Sequence, residues 1–92
     1  MEKYIRNPDT MFEHIDDDTV VLNLSDGFYY GLNSAGRILW EALEVPQSKC
    51  ELCGKLSEAF PDEDAGTLQS DVDDFLDSSL APGLIEVEKP NI

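Results

Sequence analysis

Basic residues are scarce in this chain. Lysine and arginine number 6 against 20 aspartates and glutamates, a formal charge of 6 − 20 = −14 over 92 residues. Polynucleotide affinity is built mainly from cations set against phosphates, so so negative a surface argues against a nucleic-acid partner. Anionic membranes are disfavoured for the same reason, while a neutral or basic partner is favoured. No apolar run approaches the roughly 20 residues of a membrane span. The opening MEKYIRNPDT lacks the apolar core of a signal peptide, which makes the cytoplasm the expected compartment. Nor is there a linker, repeat or low-complexity tract to divide the chain, so a single domain over residues 1–92 is expected.

Catalytic and metal-binding signatures are equally sparse. Histidine occurs once, at His14, and no serine-nucleophile signature or glycine-rich phosphate loop accompanies it. So acidic a chain produces chance carboxylate pairs, but none stands in a recognisable acid–base setting. Cys50 and Cys53 form a lone Cys-x-x-Cys. A thioredoxin-type motif follows a strand in a βαβ unit, whereas this pair follows a helical stretch. Zinc wants about four ligands, and His14 is the one other soft donor. The cysteines read as buried structural residues, with no catalytic residue, metal or cofactor expected.

What is present is clearest between Thr19 and Leu43, which reads as strand, tight turn, strand and immediate helix. Val20, Leu22 and Leu24 alternate with Val21 and Asn23, the period of a strand with one buried face. Ser25-Asp26-Gly27 supplies a turn, with Gly27 free to take positive φ. A three-residue loop sets Leu24 opposite Phe28, Leu22 opposite Tyr30 and Val20 opposite Leu32, gathering apolar residues on one side. Asn33 or Ser34 can cap the following helix, whose stripe is Ala35, Ile38, Leu39, Ala42 and Leu43, widened by Trp40.

Upstream, Met1–Pro8 reads as a loose lead-in and Met11–Ile15 as a first strand turned back by Asp16-Asp17-Asp18. Downstream, Ser48-Lys49-Cys50-Glu51 has capping-box spacing and opens a second helix that Pro61 stops. Asp62-Glu63-Asp64 opens a third helix, with Leu68, Val72, Phe75, Leu76 and Leu80 at helical spacing. Ala81-Pro82-Gly83 ends it, and Leu84–Val87 reads as a closing strand followed by a tail. The fold class is α+β and winged-helix-like, a three-stranded antiparallel N-terminal sheet followed by three helices. In that meander Phe28–Leu32 is a sheet edge without charge or proline to block pairing, which is what strand addition by a peptide requires.

The ordered set Gly27-Phe28-Tyr29-Tyr30-Gly31-Leu32-Asn33, Leu39-Trp40, Leu43, Asp71-Val72, Phe75-Leu76 and Gly83-Leu84-Ile85 resembles the PqqD-like family of precursor-peptide recognition domains. The likeness covers roughly three quarters of the chain; Cys50, Cys53 and Gly54 fall outside its pattern. It implies a non-catalytic protein that binds the leader of a ribosomally made, modified peptide, for this chain one of lasso type. The leader would add as a strand on Phe28, Tyr29, Tyr30, Gly31 and Leu32. Its side chains would enter a groove walled by Leu68, Asp71, Val72, Phe75 and Leu76. The implied partners are the precursor peptide and a separate processing enzyme such as a leader peptidase. The same resemblance also admits a pyrroloquinoline quinone precursor chaperone serving a radical enzyme. A winged-helix DNA-binding regulator fits the architecture, but no lysine or arginine lies between Asp62 and Pro82. A small redox or metal carrier using the cysteines is the remaining rival.

Overall fold

The computed structural model describes residues 2–88. Strand β1 (Lys3–Arg6) is followed by β2 (Thr10–Ile15), β3 (Asp18–Asn23) and β4 (Tyr29–Leu32). Helix α1 (Ser34–Ala42), the two-residue strand β5 (Gln47–Ser48), α2 (Lys49–Ala59), α3 (Ala65–Leu80) and β6 (Ile85–Glu88) complete the order. The expected antiparallel meander β2–β3–β4 and the three helices after it are present. A second three-stranded sheet, ordered β5–β1–β6, is additional.

That second sheet corrects the reading of the N-terminus as a loose lead-in. Tyr4 lies between Gln47 and Val87, antiparallel to both strands. Four residues with no hairpin partner nearby carry no local sign of such pairing. β1 exists because the helices carry β5 and β6 to it. Arg6 then ties the two sheets together, its guanidinium 4.9 Å from the Phe12 ring centroid and 5.4 Å from that of Trp40.

The hairpin register also differs from expectation. Leu22 faces Tyr29 and Val21 faces Tyr30, with the Asn23 amide donating to the Phe28 carbonyl. The connection is therefore Leu24–Gly27, closed by the Gly27 amide on the Asn23 carbonyl at 2.8 Å, with Gly27 at φ +76°. Thr19, Val21 and Asn23 face the core, while Val20 and Leu22 face away and Leu24 and Phe28 stay exposed. Alternation misled because two polar residues find partners inside. The Asn23 side-chain amide donates to the Pro82 carbonyl at 2.8 Å, and its oxygen accepts from the Ser25 amide at 2.9 Å. Thr19 Oγ1 meets His14 Nδ1 at 2.7 Å. Buried polar groups with partners carry little penalty, so polarity alone did not mark the solvent side.

The core joins Leu39, Trp40 and Leu43 of α1, Leu52 and Leu56 of α2, and Leu68, Val72, Phe75 and Leu76 of α3 to Val21, Leu84 and Ile85. Each large aliphatic among them contributes roughly 1.5–3 kcal/mol by leaving water. Caps follow the sequence signals. Asn33 accepts from the Gly36 amide, Asp64 accepts from the Gly66 amide, and Ser48 and Glu51 form a reciprocal capping box. Among the described residues, no helix is long and apolar enough to cross a membrane.

Candidate functional site: an open strand edge beside a helix

β4 is the last strand of its sheet, and among the described residues no strand pairs with its outer side. Backbone groups in an antiparallel ladder alternate between the two sides of a strand. The bond from the Asn23 amide to the Phe28 carbonyl sets the phase. The Phe28 carbonyl and the backbone groups of Tyr30 and Leu32 turn toward β3, the Phe28 amide donates to Asp26 Oδ1, and Tyr29 and Gly31 turn their groups outward. A segment laid beside β4 would thus meet one unpaired donor and acceptor at each of two alternate residues.

Beside this edge lies a cavity of about 280 Å³. Gly31 and Leu32 form one wall, and Asn33, Ala35, Gly36 and Leu39 the floor where α1 begins. The opposite wall is α3, through Asp71, Asp74, Phe75, Ser78 and Ser79. At Gly31 an added Cβ would meet nothing within 4 Å among the described residues, and it would point to the outer face of the sheet. None of the ion pairs among the described residues uses Asp71 or Asp74.

The residues singled out from the sequence thus separate into groups. Gly31, Leu32, Asp71 and Phe75 come together around the cavity. Phe28 and Tyr29 are exposed, at 65% and 71%, and neither lines the cavity; the Tyr29 side chain is on the outer face of the sheet. Tyr30 is half-buried, and its hydroxyl donates to Asp26 Oδ2 at 2.8 Å. That hydrogen bond, with desolvation adding to it, holds the phenol pKa above its usual 10.0 and straps the ring to the turn. Leu68, Val72 and Leu76 belong instead to the core, 5%, 0% and 3% exposed, and support α3 from beneath. Asp74, Ser78 and Ser79 were not foreseen. Counting three, four and seven residues on from Asp71 would have reached Asp74, Phe75 and Ser78, since those positions share a helix face.

The cysteines lie elsewhere. Cys50 is exposed rather than buried, and Cys53 is half-buried. Both border a separate cavity with Tyr4, Lys49, Gln69 and Asp73, where Lys49 pairs with Asp73. Desolvation, then the neighbouring Cys50 and Asp73, push the Cys53 thiol above its ordinary range, the reverse of an activated thiolate. Among the described residues, no three or more histidine, cysteine, aspartate or glutamate side chains are grouped to hold a metal ion.

The arrangement is a small winged-helix-like fold in which, among the described residues, one strand edge is left unpaired beside a helix-walled groove. The family described as coenzyme PQQ synthesis protein D (PqqD) matches residues 18–85, and the chain belongs to it. Among solved structures, TbiB1 in complex with the TbiA(beta) leader peptide is similar at a TM-score of 0.80 and 28% identity, covering 94% of this chain and 99% of that one. A lasso peptide synthetase B1 complexed with the leader peptide shares the fold at a TM-score of 0.75 and 17% identity, covering 90% of this chain and 96% of that one. No curated protein matches the chain significantly.

Proposed function

We propose that this protein binds the leader segment of a ribosomally made precursor peptide, of lasso type, and delivers it to a separate processing enzyme such as a leader peptidase. The observation that carries the reading is the free outer edge of β4 beside the α3 groove, in a fold shared with two solved leader complexes. The leader adds as a strand. Tyr29 and Gly31 supply the backbone hydrogen bonds, which fix register and tolerate varied sequence. Phe28, Tyr30, Leu32 and Phe75 offer apolar surface for its inward-facing anchors. Asp71 stands where a cationic side chain or a backbone amide of the guest can be met. Leu68, Val72 and Leu76 contribute by holding α3 in place. The protein acts by holding its guest, and bond-breaking belongs to the partner.

A second reading, a pyrroloquinoline quinone precursor chaperone serving a radical enzyme, draws on the family's own description. It uses the same edge and differs in the guest. The test is titration with a labelled synthetic leader made from any short precursor frame found beside this chain's own, with the TbiA(beta) leader as a second probe. Saturable one-to-one binding that protects the Tyr29 and Gly31 amides from hydrogen exchange is expected. Binding to neither peptide, or binding that leaves those two amides unprotected, refutes the strand-addition model.

A further inference from the structure

The β2–β3–β4 sheet has a second face, turned away from the helices. The register sets Met11, Leu22 and Tyr29 in one row across the three strands, and Glu13, Val20 and Gly31 in the next. Ile15 extends this surface at the far end of β2. Met11 is 61%, Ile15 51% and Tyr29 71% exposed, and these side chains with Val20 and Leu22 bound a shallow cavity of about 290 Å³. An antiparallel sheet with one face in water normally shows polar side chains there. A contiguous apolar patch in that position marks an interaction surface.

Its border is acidic. Glu13 lines the cavity between Met11 and Ile15, and Asp16, Asp17 and Asp18 are exposed at one end. Arg37 reaches the Asp16 carbonyl but is paired with Glu41, and Arg6 lies over the Phe12 and Trp40 rings, so neither forms an ion pair with these carboxylates. The rim therefore keeps its negative charge, and a partner with an apolar centre bordered by lysine or arginine is complementary to it. A second copy of this chain, itself at −14, would bring like charge against like.

This face is also continuous with the peptide edge. Tyr29 turns its backbone to the open side of β4 and its side chain to the outer face. A guest strand beside β4 would show alternate side chains on the same outer side. A protein docked there would touch carrier and guest together. We propose that the outer face of β2–β3–β4 is the docking surface for the processing enzyme, through an apolar patch on that enzyme ringed by basic residues; the inference rests on the peptide-binding reading above.

The test uses the full chain, a labelled leader that it binds and a purified leader peptidase identified among the neighbouring reading frames. The Met11→Lys/Ile15→Lys double variant changes two exposed positions on the strand farthest from the groove. Leader affinity should be unchanged, while peptidase affinity should fall at least ~10-fold. Asp17→Lys/Asp18→Lys alters only exposed residues at the acidic end, so it stays informative if the first pair disturbs folding. It should weaken peptidase binding several-fold at low salt and less at high salt. The proposal is overturned if the wild-type chain does not bind the peptidase, or if a folded variant binds it as well as wild type. It is equally overturned if wild type sediments as a dimer that Met11→Lys/Ile15→Lys makes monomeric. Absence of leader binding by wild type would instead overturn the peptide-binding reading on which this one stands.

Discussion

The two sheets of this domain have the same number of strands and opposite construction. β5–β1–β6 draws on the start, middle and end of the chain, and its central strand is paired on both sides. β2–β3–β4 is made of consecutive strands, with only β3 paired on both sides. Their edges differ as well. β6 carries Glu86 and Glu88, β2 carries Glu13, and β5 is only two residues long. Charge and shortness both discourage unwanted pairing. β4, Tyr-Tyr-Gly-Leu, has neither charge nor proline. The long-range sheet is a frame that closes the domain, whereas the local hairpin sheet folds without needing its last edge and can leave it available.

Proline probes that difference, because its effect depends on whether the lost N–H was in use. Tyr4→Pro, in the strand paired on both sides, should cost on the order of 2–3 kcal/mol from ladder groups left unpaired. That is a fall of roughly 10–20 °C in Tm for a domain of this size, read by thermal circular dichroism. Gly31→Pro should leave Tm within a few degrees of wild type, since its amide points away from β3. Leader affinity should drop at least ~10-fold, about 1.4 kcal/mol, by titration. Equal Tm losses in the two variants would erase the distinction between frame and edge.

Smaller effects sharpen the contrast. Asp71→Ala should weaken leader binding by about 1 kcal/mol, as for a partly exposed charge contact, and the loss should shrink with added salt. Its stability should be unaltered, because Asp71 is exposed on α3. In the frame, Glu51 closes the capping box that joins β5 to α2. Hydrogen bonds from Ser48, aided by Lys3, hold its carboxyl pKa below the usual 4.5. A lowered folded pKa stabilises the fold above the unfolded value, and the contribution is lost as pH falls through the folded one. Glu51→Gln should therefore flatten the acid limb of a stability–pH curve below about pH 4.5, with little change in leader affinity.

Much of this was legible in the chain itself. The capping box at Ser48 and Glu51, a cap at Asn33 or Ser34 (Asn33 in the structure) and the α3 stripe are short-range patterns. Each is satisfied within one turn of its own helix, so sequence spacing suffices to reveal it. The uncharged Tyr29–Leu32 edge was readable for the same reason. Asp71 and Phe75 were placed on the groove side of α3, but Leu68, Val72 and Leu76 fill the core. Helical spacing marks an apolar stripe without saying which part of it the neighbouring sheet covers.

The residues by themselves determined the meander, the three helices and the undefended fourth strand. Tertiary structure decided what long-range partners alone can settle. The carbonyl of Pro82 made it possible for Asn23 to turn inward, which reversed the faces of β3 and left Val20 and Leu22 on the outside with Met11 and Tyr29. Gln47 and Val87 made a strand of Lys3–Arg6. A polar side chain or a short extended segment has no fixed place until its hydrogen-bond partner arrives from elsewhere in the chain.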